Sequence, residues 1–273
     1  MIRAAFVAFA VALALGAQAA DPVAFVADVK GSANIEGDGR IAFLAELVPG
    51  TRLLLGTGAA VSVAYAATGT EFALVGPGEF TVAEDEVRAD KGAKPSRKAV
   101  QALSSTGVVT HAASTAAASV RMRGLALAPP ASKSPLEFPL DTHVSTLQPV
   151  LRWKADPDAR SYSVAIYDDA GKSVWKGTSA TASVKPGVKL APATSYKWSV
   201  AAQSPIGEAR FETLAADAVA KIQRSQANAK TFSDRVMHAF LLQDLGASQE
   251  AREAWGVLSR ERPEIPELAA LSR

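Results

Sequence analysis

The sequence predicts a mainly β, multidomain chain that ends in an α-helical hairpin. Three observations carry this expectation. From Asp21 to Leu214, short apolar runs of period two alternate with Gly- and Pro-containing turns. After Leu214 the apolar spacing becomes helical, with Phe232, Val236, Ala239, Phe240 and Leu242 on one face. Where that spacing begins, Thr231 stands three residues before Asp234, the arrangement of a capping box.

Taken in chain order, the first 20 residues read as an export signal. Arg3 is followed by an apolar stretch from Ala4 to Leu15, then small residues ending Ala17-Gln18-Ala19. The stretch is shorter than the about 20 apolar residues that span a bilayer. Cleavage is expected near Ala19 or Ala20, leaving a periplasmic protein that does not span the membrane. The chain has no cysteine. Disulfides, thiolate metal sites and a lipid-bearing N-terminal Cys are therefore excluded. Its formal net charge is +2, and losing Arg3 makes it smaller still, so nothing in the overall charge favours nucleic acid.

In residues 21–90, Val61, Val63 and Tyr65 alternate with Ser62 and Ala64, Phe72 and Leu74 follow Gly69, and Phe80 and Val82 follow Gly76-Pro77-Gly78. Gly56-x-Gly58 after an apolar run raises the question of a dinucleotide loop. The third glycine of that fingerprint would fall at position 61, which is Val61, and the following residues alternate as a strand. Turn residues of positive φ explain these glycines better. The pattern Val29-x-Gly31, Gly50-x-x-Leu53 before Thr57-Gly58, Gly69-x-x-Phe72-x-Leu74 and the Gly-Pro-Gly turn resembles a FecR-type domain. The resemblance implies a small all-β periplasmic module used for protein or envelope contacts. Signalling members of that family also carry a membrane-spanning segment, which this chain lacks outside its signal.

Residues 91–140 read as a connector. "RADKGAKPSRK" gathers Arg88, Lys91, Lys94, Arg97 and Lys98 against Asp90, either a patch for anionic glycan or phospholipid headgroups or a solvated linker; the absence of interleaved aromatics favours the linker. The Ala-rich stretch around His111 fits a strand or a helix, and "APPASKSP" reads as extended.

Residues 141–214 return to alternation. Leu151 and Trp153 share a face, as do Tyr162, Val164 and Ile166; Asp168-Asp169-Ala170-Gly171 reads as a hairpin turn rather than a metal loop. Leu190-x-Pro192-x-Thr194-x-Tyr196, followed by Trp198, Val200 and Ala202, resembles the penultimate strand of a fibronectin type III domain. A Tyr at that strand entry can return its hydroxyl to the backbone a few residues upstream. Trp153 and Trp198 are expected in the core, Phe211 inward, and Trp175, which breaks the alternation, as an exposed contact residue.

In residues 215–273 a helix over roughly Ala216 to Ala229 precedes two more, separated by Gly246, with Ala251, Ala254, Trp255 and Leu258 on one face and a stop at Pro263. Ala239, Gly246, Ala251, Trp255 and Pro263 resemble one tetratricopeptide-like hairpin. Such a hairpin cannot bury its apolar face alone. Its face must rest on the preceding domain or await a partner, which makes Phe240, Leu241, Trp255 and Leu258 the partner-binding candidates, alongside Trp175.

Catalytic chemistry finds no constellation in the sequence. His111, His143 and His238 are scattered, Gly-x-Ser-x-Gly is absent, and Ser173-x-x-Lys176 falls on an expected strand, where positions three apart face opposite ways. Glu84-Asp85-Glu86 reads as a solvated strand exit. The expectation is a non-catalytic periplasmic adaptor or regulator, without cofactor or metal, that binds envelope or outer-membrane proteins. The alternative is a module that binds peptidoglycan or another glycan.

Overall fold

A computed structural model describes residues 21–65, 67–99 and 134–273. The expected export signal (1–20) and the Ala-rich stretch with His111 lie outside them. Among the described residues the protein is mainly β, with helices in a C-terminal region.

Ten strands make the first unit: β1 (Ala24–Lys30), β2 (Ala33–Ile35), β3 (Gly39–Arg40), β4 (Glu46–Leu47), β5 (Arg52–Leu55), β6 (Ala60–Tyr65), β7 (Thr70–Val75), β8 (Gly78–Val82), β9 (Val87–Lys91) and β10 (Ser96–Ala99). They form two five-stranded sheets, ordered β10-β7-β6-β1-β4 and β3-β2-β5-β8-β9. Val26, Val61, Val63 and Leu74 of one sheet share a core with Leu53, Leu55, Phe80 and Val82 of the other. The alternate residues of β1 and β6, Phe25, Ala27 and Ala64, are buried too, in a different core. That explains why β1 opens with four consecutive apolar residues, Ala24 to Ala27: this part of its sheet is covered on both faces.

The expected connector 91–140 is corrected at both ends. β10 pairs antiparallel with β7, Lys98 opposite Glu71, and a further strand begins at Leu136. All four side chains of β10 are exposed. An edge strand that buries no apolar side chain leaves no alternation to read.

The second unit contains β11 (Leu136–Phe138), β12 (Thr142–Val144), β13 (Leu151–Trp153), β14 (Tyr162–Asp168), β15 (Ser173–Ser179), β16 (Ser183–Val184), β17 (Ser195–Ala201) and β18 (Pro205–Thr213). Its sheets run β11-β13-β16 and β12-β18-β17-β14-β15, with β12 parallel to β18. Trp153, Trp198 and Phe211 are buried in their shared core. The Trp198 indole donates to the Pro139 carbonyl at 2.8 Å. The Tyr196 hydroxyl accepts from the Ala191 N–H at 3.0 Å, five residues upstream. Tyr162 makes a similar bond, accepting from the Asp156 N–H at 2.8 Å. Between β14 and β15 the Asp168 carboxylate accepts from the Lys172 N–H at 2.8 Å, so these aspartates do close a hairpin.

Four helices follow: α1 (Ala216–Asn228), α2 (Phe232–Asp244), α3 (Ser248–Glu261) and α4 (Pro266–Leu271). The capping box at α2 is present: Thr231 Oγ1 accepts from the Asp234 N–H and the Asp234 carboxylate accepts from the Thr231 N–H. Gly246 turns the chain with φ +76°, and a Cβ there would lie 2.4 Å from His143 Nδ1. The chain does not leave helix for good at Pro263. Pro266 opens α4, whose Leu268 and Leu271 are buried. Among the described residues no helix is long and apolar enough to cross a membrane.

The helices are wedged between the two β units. Against the first, Phe240 meets Phe25 edge-on at 5.9 Å, and Phe232 meets Phe43 at 6.3 Å. Arg262 donates to the Asp28 carboxylate at 2.8 Å and the Val29 carbonyl at 3.0 Å. Ser233 donates to the buried Glu71 carboxylate at 2.7 Å, and Lys98 pairs with Asp234. Against the second unit, the Ser145 N–H and hydroxyl both donate to the Glu250 carboxylate, and Gly246 accepts from the His143 N–H.

This wedge corrects the partner-contact candidates. Phe240, Leu241, Trp255 and Leu258 are at most 1% exposed. The apolar face that a lone hairpin leaves open is covered here by Phe25, Ala27, Phe43, Leu44 and Ala64. Trp175 is only half-buried, but its ring lies over Gly177, where a Cβ would meet Trp175 Cζ2 at 2.5 Å, and it packs on the second unit's core. Its place as an open contact residue is corrected accordingly.

Candidate functional site

The wedge leaves α3 with one face inward and one outward. Ala251, Trp255 and Leu258 point into the core. On the other side run two rows of helical spacing, Gln249-Glu253-Val257 and Arg252-Gly256-Arg260. Together with Ser272 and Arg273 after α4, they line a groove of about 630 Å³. Contacts to the second β unit hold its upper end. Gln249 accepts from the Leu140 N–H at 2.6 Å and donates to the Glu137 carbonyl at 2.9 Å, and Arg152 pairs with Glu253.

The groove is electropositive because its acid is already engaged. Glu253 is held by Arg152, whereas Arg252, Arg260 and Arg273 form no ion pair among the described residues. Arg252 donates only to the carbonyl of Ser248 in its own helix, at 3.3 Å. Val257 adds an apolar surface that is 49% exposed. Gly256 sits inside the helix, where glycine costs about 1 kcal/mol relative to alanine. Its φ is not positive, and a Cβ would meet nothing closer than Arg260 Nη1 at 3.5 Å and Ser272 Cβ at 3.9 Å. Neither backbone conformation nor crowding among the described residues calls for a glycine there.

At two other concavities, charged side chains pair within the chain. A cleft of about 530 Å³ opens beside Gly56, Pro77, Gly78 and Gly92, at the turn that raised the dinucleotide question. No helix follows: β5 turns through Gly58, φ +74°, into β6. Backbone crowding explains Gly76, whose Cβ would fall 2.1 Å from the Gly56 carbonyl. The charges at this cleft are paired, Glu79 with Lys91 at 2.8 Å and with Arg52 at 3.1 Å. A third groove, of about 440 Å³, has its Lys197 bonded to Glu208 at 3.1 Å.

Three of the five basic residues in the Arg88–Lys98 stretch are drawn to separate acids. Arg88 pairs with Glu86 at 2.6 Å, Lys91 with Glu79, and Lys98 with Asp234. The Glu84-Asp85-Glu86 stretch forms the β8–β9 turn, against which the Tyr65 hydroxyl is bonded to the Glu86 and Ala83 carbonyls. Burial there, with the nearby acids, raises the Tyr65 pKa well above its ordinary value. His143 approaches Glu212 at 3.5 Å, and His238 contacts Ser225 at 3.2 Å, with burial holding its pKa below the usual value. His111 lies outside the described residues. Ser173 and Lys176 fall on β15. Among the described residues no three His, Cys, Asp or Glu side chains group to hold a metal ion.

Two titrations mark the wedge itself. Burial alone would raise the Asp234 carboxyl, but its bonds to Lys98 and Thr231 outweigh that and hold it below the ordinary carboxylate range. Glu250 goes the other way: burial raises it despite the two Ser145 bonds.

Sequence reasoning missed the Arg252-Gly256-Arg260 row. Its signal was a helix-interior glycine between two arginines spaced four apart on either side. No family model matches the chain, and no match is found among curated proteins.

Proposed function

We propose that this chain is a non-catalytic adaptor of the bacterial periplasm that holds another envelope protein against the outward face of α3. The observation carrying this reading is the wedge. Helices whose apolar face is closed by the first β unit, and whose α3 is tied to the second through Glu250 and Ser145, present a fixed, open, electropositive groove, whereas the charged groups at the Gly56 cleft pair with one another. A rigid platform lowers the ordering cost of binding.

The domain readings have their own support. Two antiparallel sheets around one core favour a FecR-like first unit. A three- and a five-stranded sheet, with the Tyr196 hydroxyl returned to Ala191, favour a fibronectin type III-like second unit. The antiparallel pair α2 and α3, turned at Gly246, favours a tetratricopeptide-like tail. The export signal remains the argument for the compartment.

A photo-crosslinking amino acid at Val257, in cells, tests the reading. A discrete adduct with another envelope protein is expected from position 257 and none from the exposed Thr178 on β15. No adduct from 257, or the same adducts from both positions, overturns it.

A further inference from the structure

We infer that the groove of α3 takes an acidic peptide segment, its backbone passing over Gly256 and its carboxylates meeting Arg252 and Arg260. This rests on the adaptor reading and names the chemistry of the partner surface. Arg252 and Arg260 flank Gly256 one helical turn away on each side, so the two guanidinium groups bracket the only position in the row without a side chain. Glycine is the residue that lets another backbone approach closely, and among the described residues no atom makes that approach: the nearest neighbours of a Cβ there stand at ordinary contact distance.

Charge selects the ligand. The acid of the groove, Glu253, is engaged by Arg152, whereas Arg252 and Arg260 have no carboxylate partner among the described residues. A guanidinium offers its N–H groups in a planar fork that fits a carboxylate with two parallel bonds. Val257, exposed beside them, adds a surface for one apolar residue of the segment. Exposed charges of this kind chiefly steer and select, so the binding is salt-sensitive.

The test uses the full chain and a fluorescein-labelled peptide of alternating Glu and Ala with one central Leu, read by anisotropy. A counterpart with Lys in place of Glu serves as the control. The acidic peptide is expected to bind about tenfold or more tightly than the lysine peptide, and to weaken several-fold between about 50 and about 200 mM salt. The double variant Arg252→Glu/Arg260→Glu should lose at least about tenfold. Gly256→Ala should raise the melting temperature, since alanine favours helix, yet weaken the peptide. That opposite pair of signs separates a binding glycine from a structural one.

Equal affinity for the two peptides, no saturation by about 1 mM, or variants that bind as the parent does would each overturn the inference. The adaptor reading fails separately. A Val257 crosslink that persists in the charge-reversed variant sinks only the acidic-segment inference, and a missing crosslink in the parent sinks the adaptor reading whatever the peptide does.

Discussion

Phe240→Ala puts the wedge under direct load. The Phe240 side chain is fully buried, edge-on to Phe25 of the first β unit at 5.9 Å and to Trp255 of α3 at 4.9 Å. It is therefore one of two rings, with Phe232, through which the helical core meets the first β unit. Truncating a buried Phe costs about 3–5 kcal/mol, to which each aromatic pair contributes about 0.5–1.5 kcal/mol. At roughly 2–4 °C per kcal/mol for a chain of this size, the melting temperature falls by about 6–20 °C. Far-ultraviolet circular dichroism follows the helices, and the near-ultraviolet tryptophan signal, read with and without Phe240→Ala in a Trp255→Phe background, follows Trp153, Trp175 and Trp198 in the second β unit. Both should shift together. A helix signal that melts early while the aromatic signal keeps its parental midpoint would refute the reasoning, because the helices would then be an independent appendage.

Three further predictions follow from single contacts. Gly246→Ala should destabilise by more than about 1 kcal/mol in chemical denaturation, since the residue has φ +76° and a Cβ would press on His143. Tyr196→Phe removes the acceptor of the Ala191 N–H and should cost about 1 kcal/mol by the same measurement, with the fold retained. Asp234→Asn tests the pH dependence: the folded-state pKa of Asp234 is depressed, so its contribution is complete above the ordinary carboxylate range and fades as pH falls through the lowered value. The stability gap between parent and variant should be full at neutral pH and shrink in acid; a gap that grows in acid would contradict the Lys98 pairing.

What could be read from the residues alone were features with a local signal. Val61, Val63 and Tyr65 alternate because one face of β6 meets the opposing sheet. Asp168 to Gly171 turns because an Asp can bond its own backbone, and the start of α2 is written in Thr231 and Asp234. What stayed hidden depends on partners far along the chain. Nothing near Asp28 announces Arg262, and nothing near Glu71 announces Ser233. For the same reason Phe240 and Trp255 looked open: a helical face shows its need for cover, but not who supplies it. β10 stayed hidden for a different cause, having exposed side chains on all four residues. The groove was missed because its mark is an absent side chain at Gly256.

The central claim is that the helices fix both β units into one body and so hold the α3 groove in place. The chain has no cysteine, so nitroxide labels can be placed cleanly at Asp38→Cys, in the exposed β2–β3 turn, and Asp169→Cys, in the β14–β15 hairpin. Pulsed electron paramagnetic resonance should give a single narrow distance distribution between them, unchanged by added salt. A broad or two-peaked distribution would mean that the β units move independently, and the fixed platform would not exist.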